Sequence, residues 1–208
     1  MTSPSTLKVG FSKMKSLHKR LILRSNILDK FYFENEKDIS ELFIDVKNSL
    51  SNSGKLILIG NGGSFAIAQH ISAEFTGRFV KERDSIPSFV LGSNPSSFSA
   101  ISNDYGYENS FSREFSSLAN KKDILIAMSV SGKSKNILKT LEASKVKGIK
   151  SYFFTGQLNE MINIEKLLET KLIIVPSFET AIVQEIHFII LHELCNFIDE
   201  NYSSFNKP

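Results

Sequence analysis

The chain has 208 residues, 41% hydrophobic and 23% charged, a composition that fits one globular domain and excludes a disordered or fibrous chain. A net charge of +3 tolerates an anionic small ligand but does not mark a nucleic-acid binder. Cys195 is the single cysteine, so no intrachain disulfide is possible and a reducing compartment fits.

No apolar run reaches the roughly 18 residues of a membrane helix. Lys13, Lys15, Lys19, Arg20 and Arg24 interrupt any secretory apolar segment, and no acid precedes Asp29. This opening reads as a solvated basic helix face rather than an organellar transit segment, with residues 1–15 frayed. From Ser16 to about Ser51, Leu17, Leu21, Leu28, Phe31, Leu42, Val46 and Leu50 recur at helical spacing. They predict one or two helices, divided near Glu34–Lys37, with Gly54 of "SNSG" as the terminal cap.

The pattern then changes. "KLILIG" (55–60), "PSFVLG" (87–92), "DILIAMS" (123–129), "KSYFFTG" (150–156) and "KLIIVPS" (171–177) are short, continuous apolar runs. Such runs mark strands buried on both faces. Helical stretches fall at about 64–77, 107–118, 134–147 and 179–199. The alternation predicts an α/β fold with a parallel sheet covered on both sides.

Two loops follow strands and open helices. In "IGNGGSFAIAQ" the glycines let backbone N–H groups approach an anion, and Ser64 offers a hydroxyl. "SVSGKSKN" repeats the arrangement with Ser129, Ser131, Gly132 and Ser134. Both loops fall at carboxyl ends of parallel strands, where such sheets bind ligands. The plainer alternative is two tight turns whose serines cap helices. "AMSVSGKS" is one residue short of a nucleotide loop, with Ala127 in place of its first glycine. That reading fails because no other strand ends in an acid that holds Mg²⁺. Lys133 lends charge to a bound phosphate or points into solvent.

His70 and Glu74 stand four apart on one helix face, a competent but weakly specific metal pair. The last helix carries Gln184, His187 and His192. Gln184 and His192 are two turns apart, a rise of about 12 Å, so one metal reaches both only by convergence from above and below or from two subunits. His187 reads as an ordinary helix residue, His192 on its own as a core histidine, and Glu185 and Glu193 as solvated charges. "SNDYGYENSF" (102–111), with Asn103 and Asp104, reads as a turn before a helix start.

Together, "GNGGSFAIAQHISAEFTGRF", "ISNDYGYENSFSREF", "SVSGKSKNI" and "ETAIVQEIHFIILHEL" resemble the phosphoheptose isomerases of the sugar isomerase (SIS) group, from about Ile39 to Asp199. The resemblance implies a three-layer fold with a five-stranded parallel sheet, in one domain over 1–208. Helices of about 16–51 would serve oligomer packing ahead of an α/β core at 52–199. It also implies a cytoplasmic homotetramer with sites at subunit interfaces. The implied reaction converts sedoheptulose 7-phosphate to D-glycero-D-manno-heptose 7-phosphate for bacterial surface polysaccharide. Substrate contacts would fall on Asn61, Gly62, Gly63, Ser64, Glu74, Asn103, Asp104, Ser129, Val130, Ser131, Ser134 and Gln184. Zinc would be held by His70, Glu74, Gln184 and His192, with Glu74 and His192 also the acid–base pair.

Four positions depart from relatives: Val130, where many have Thr, Lys133, Ala181 and Ile182. Two alternatives keep the same fold: a non-catalytic tetramer that binds the bacterial replication initiator, and a sugar-phosphate sensor. Retention of His70, Glu74 and His192 favours the enzyme.

Overall fold

The computed structural model describes residues 4–158 and 169–205, with side chains described over 16–158 and 169–203. Five parallel strands form one sheet: β1 (Leu56–Gly60), β2 (Ser88–Val90), β3 (Ile124–Ser129), β4 (Lys150–Thr155) and β5 (Lys171–Ile174), in the order β2-β1-β3-β4-β5. Every residue of β1 and β3 is buried, as the continuous apolar runs predict. Alternate residues enter opposite cores. Leu56, Leu58, Ile124, Ile126, Met128, Tyr152 and Phe154 join one cluster, and Ile57, Ile59, Leu125, Ala127 and Phe153 the other.

Helix α1 is one continuous element, Pro4–Ser51. It starts well before residue 16 and is not divided at Glu34–Lys37, where no Gly or Pro interrupts it. Lys13 and Lys15 have side chains outside the described residues. Asn35 fastens this stretch to the edge strand. Its side-chain oxygen accepts the Ile174 N–H at 3.1 Å and its amide donates to the Phe31 carbonyl at 2.9 Å. Backbone groups of β5 that would otherwise be an open edge are thereby covered. The predicted cap is also shifted by one residue. Ser53 takes the left-handed conformation at φ 61°, and the Gly54 N–H closes on the Ser49 carbonyl at 2.8 Å. Gly54 is needed for space: a Cβ there would sit 2.2 Å from the Lys122 carbonyl oxygen.

Helix α2 (Gly63–Thr76), helix α5 (Lys135–Lys147) and helix α6 (Thr180–Phe205) occupy the predicted stretches. The region between β2 and β3 differs. Helix α3 (Pro95–Tyr105) was not expected, and one 3₁₀ turn (Tyr107–Asn109) precedes helix α4 (Ser112–Leu118). Asn94 starts α3 by accepting from the N–H groups of Ser96 and Ser97, with Pro95 at the first position. Asn103 and Asp104 therefore end a helix rather than lie in a turn.

Helix α6 also corrects the reading of apolar runs. Thr180–Ser203 is long and apolar enough to cross a membrane by length and composition, because its scattered polar residues leave mean hydropathy at 1.3. Here it is a core helix. Ile182, Val183, Ile186, Leu191 and Leu194 are buried with the first cluster. Helix α1 runs parallel to it, joined by Arg20 to Glu179, Arg24 to Glu185 and Lys47 to Asn201. Both α2 and α6 start at the carboxyl ends of the strands and pack side by side.

Candidate active site

The two strand-end loops meet. Asn61, Ser64, Met128, Ser129, Val130, Ser131, Ser134, Thr180 and Gln184 enclose a cavity of about 230 Å³. Neither α2 nor α5, two of the three helices that start here, has a side-chain cap. Ser134 instead faces Ser129, hydroxyl to hydroxyl at 3.0 Å. Ser129 and Ser134 are therefore not spent on capping, whereas Ser131 Oγ accepts the Lys133 N–H at 3.3 Å within its own turn. Hydroxyls, loop amides and helix N-termini make a neutral-donor seat for an anion. No Lys or Arg lines it among the described residues, and Lys133 is exposed. Gly132 turns the second loop at φ 66°, a left-handed value that suits glycine.

Gln184 reaches into this cavity from α6. Its amide nitrogen lies 3.5 Å from Ser64 Oγ. A Cβ on Gly63 would come within 2.8 Å of both polar atoms of that amide, so the glycine admits Gln184 to the loop.

Asn136, absent from the sequence reading, ties the loops together. Its side-chain amide and that of Asn61 exchange two hydrogen bonds, at 2.9 and 3.0 Å. Tyr107 donates its hydroxyl to Asn61 Oδ1 at 3.0 Å. The Asn61 side chain is thus occupied by the protein, and Asn136 is 1% exposed. Gly62 and Asn61 also border a second cavity of about 390 Å³ with Phe65, Phe98 and Tyr107. Asn103 and Asp104 are exposed and bonded to each other at 2.8 Å, lining neither cavity.

The imidazoles gather two helix turns away. His70 Nε2 lies 3.1 Å from Glu74 Oε1 and 3.2 Å from His192 Nε2. One proton on His70 Nε2, assigned from these contacts, faces both a carboxylate oxygen and an imidazole lone pair. His192 is half-buried, not a core residue, and rings of Phe188 and Phe79 pack on it at 4.2 and 5.6 Å. Burial, then the neighbouring His70, lowers its pKa below the ordinary histidine value. The core histidine is His187, fully buried, with Nε2 3.4 Å from the Thr155 carbonyl and Nδ1 without a partner.

Zinc suits the donor types at this end, and the two contacts approach the edge of about 3.3 Å that tetrahedral Zn–N bonds of 2.0–2.1 Å give. Yet among the described residues no group of three or more His, Cys, Asp or Glu is arranged to hold a metal ion. Gln184 of the same chain lies with Ser64, about 12 Å of helix rise from His192.

Similar proteins give this geometry a context. The family model of the SIS domain matches residues 24–156. Phosphoheptose isomerase of Nitratiruptor sp. is 40% identical over 189 residues, covering 91% of this chain and all of the relative. Phosphoheptose isomerase 1 of Campylobacter jejuni is 44% identical over 153 residues, 74% of this chain and 81% of the relative. Among solved structures, a phosphoheptose isomerase from Neisseria gonorrhoeae superposes with a TM-score of 0.80 at 28% identity, over 90% of this chain and 98% of that one. One from Francisella tularensis gives 0.76 at 30% identity, over 96% and all of the two chains. With both strand-end loops, the His70–Glu74–His192 group and this similarity over nearly its whole length, the chain belongs to the phosphoheptose isomerase family of SIS domain proteins.

Proposed function

We propose that the protein is a ketose–aldose isomerase that converts D-sedoheptulose 7-phosphate to D-glycero-D-manno-heptose 7-phosphate. The observation that carries this reading is the pairing of an uncharged hydroxyl-and-amide cavity with a carboxylate–imidazole group on the adjoining helices. The phosphate takes the Ser129, Ser131 and Ser134 cavity at the ends of α2 and α5, and Ser64 and Gln184 hold sugar hydroxyls beside it. The carbonyl end is carried to Glu74 and His192. Glu74 takes the proton from the carbon beside the ketone carbonyl, leaving an enediol, and returns it to the neighbouring carbon. His192 moves the proton between the two oxygens. Phe79 and Phe188 keep water from that exchange.

The assembly is part of the proposal: a cytoplasmic homotetramer with active sites between subunits. Two features support it. Leu17, Leu21 and Phe33 of α1 are 59%, 54% and 78% exposed, which is costly for large apolar side chains unless another copy covers them. Gln184 and the imidazoles of one chain also stand too far apart to share one small centre. Zinc is proposed as an alternative state of this group: a second copy would add Gln184 to His70, Glu74 and His192, which one chain alone does not arrange for a metal among the described residues. Glu74 and His192 serve as base and proton carrier only while they are not ligands. Bound there, zinc would polarise the substrate carbonyl as a Lewis acid. The product then enters synthesis of activated heptoses for a bacterial surface polysaccharide.

Glu74→Gln tests the reading. The variant is expected to bind sedoheptulose 7-phosphate with unchanged affinity by calorimetry while turnover falls at least ~100-fold, the size of a general-base contribution. Equal turnover by variant and wild type would refute it. Metal analysis of purified wild type and His70→Ala tests zinc: about one equivalent per chain lost in the variant supports the site, and equal contents overturn it.

A further inference from the structure

Arg83 and Asp199 lie outside the assigned site residues, yet they form a buried pair directly behind it. Their side chains are each 1% exposed, and Arg83 Nε donates to Asp199 Oδ1 at 2.7 Å. Charges this deeply buried persist only when their remaining valences are filled. Here the way they are filled is informative. Arg83 Nη2 donates to the backbone carbonyl of Glu74 itself at 2.7 Å, and Nη1 to those of Phe75 at 2.9 Å and Asp84 at 3.1 Å. These include carbonyls at the end of α2, whose partial negative charge suits a guanidinium.

Asp199 Oδ2 accepts the N–H groups of Val80 and Lys81 at 2.9 and 2.8 Å. Those residues follow Phe79, whose ring lies over His192 at 5.6 Å and 20° between planes. On α6, His192, Cys195 and Asp199 are spaced three and four apart, so one face carries both the imidazole and the clamp. A single pair thereby sets where α2 presents Glu74, where Phe79 rests, and how both meet His192.

We infer that the Arg83–Asp199 pair is the positioning device of the proton-transfer end, fixing Glu74 and the Phe79 cover against His192 while leaving the phosphate cavity untouched. The inference rests on the isomerase reading above. It separates the two ends of the site: the hydrogen bonds of Arg83 and Asp199 go to Glu74, Phe75, Gly77, Val80, Lys81 and Asp84, none of which lines the serine cavity.

The test measures kcat and KM with sedoheptulose 7-phosphate, and by calorimetry the affinity for heptitol 7-phosphate, which has no carbonyl. Arg83→Lys, Asp199→Asn and Phe79→Leu are compared with wild type. Misplacement at this end is expected to lower kcat of the first two by ~10- to 100-fold, since displacements near 1 Å cost that much. Phe79→Leu should lose less. KM and heptitol phosphate affinity should stay within about twofold in all three, because no lining residue changes. Asp199→Glu, which keeps the charge, should recover part of the loss. Folded variants with wild-type kcat, or losses shared equally by KM and inhibitor affinity, overturn the inference. If Arg83→Lys and Asp199→Asn do not fold, Asp199→Glu decides it, since it shifts the pair but keeps its charge: a lowered kcat with unchanged KM and heptitol phosphate affinity supports the inference, and a wild-type kcat overturns it. A wild-type protein without turnover sinks the isomerase reading and the inference together; an active wild type with unaffected variants sinks the inference alone.

Discussion

His187 gives the sharpest test of how this core is built. It is fully buried on α6, edge-on to Phe154 with ring centroids 5.4 Å apart. Burial pulls its pKa from 6.5 to about 4, against the opposing hydrogen bond to the Thr155 carbonyl. The folded value lies below the unfolded one, so the unfolded chain binds a proton that the native chain excludes. The neutral ring's contribution is therefore complete above pH 6.5 and lost as pH falls toward 4. Each unit below 6.5 removes about 1.4 kcal/mol, which amounts to roughly 2 kcal/mol by pH 5.

His187→Phe keeps a ring of similar shape and deletes the titration. It also deletes the weak 3.4 Å bond and the unpartnered Nδ1, so at pH 7 the two proteins should differ by no more than about 1 kcal/mol. Urea unfolding followed by circular dichroism at pH 7.0, 6.5, 5.5 and 5.0 measures both. Asp199 and Glu41, whose carboxyls are held below the ordinary range, weaken both proteins alike in acid and cancel in the difference. At Asp199 burial is the largest single cause and pushes upward, but the hydrogen bonds from the Lys81 amide, Arg83 and the Val80 amide together with the Arg83 charge outweigh it; at Glu41, the hydrogen bond from Lys150 is the leading cause. The variant should gain about 2 kcal/mol on wild type between pH 6.5 and 5. Parallel curves would refute the assignment of His187 as a neutral core residue.

Asn136→Ala removes half of the amide pair joining the two loops and leaves Asn61 underbonded. It should cost about 1–3 kcal/mol in urea unfolding and raise KM for the sugar phosphate more than it lowers kcat. Gly63→Ala introduces a Cβ 2.8 Å from the Gln184 amide, so it should displace that side chain and depress kcat/KM at least ~10-fold by the cost of misplacement, with helix stability unchanged or improved. Lys133→Ala should leave KM within about threefold at 0.15 M salt, because an exposed charge is screened and the cavity binds through neutral donors. A larger rise would show that Lys133 reaches the phosphate.

Much of the architecture was legible because parallel strands buried on both faces leave unbroken apolar runs, and all five runs became strands. Helix α3 was also signalled, by Asn94 before Pro95, but its serine-rich face carries no apolar period. The two histidines of α6 illustrate a different limit. Both sit in one apolar stretch, and each alone looks like the other. The buried stripe through Val183, Ile186, Ile190 and Leu194 includes His187 and leaves His192 at its margin, so the periodicity held the answer. The serine loops were found because glycine and hydroxyl spacing is local. The Asn61–Asn136 and Arg83–Asp199 pairs were not, since each joins residues 75 and 116 positions apart and no local pattern announces them.

Proton transfer between adjacent carbons is the heart of the account, and product analysis in deuterium oxide observes it directly. Incubation of the wild-type protein with sedoheptulose 7-phosphate, with and without added Zn²⁺, is expected to yield an aldose heptose phosphate by NMR, carrying solvent deuterium at the carbon next to the carbonyl. Substrate that remains wholly ketose, unlabelled after prolonged incubation, would contradict it.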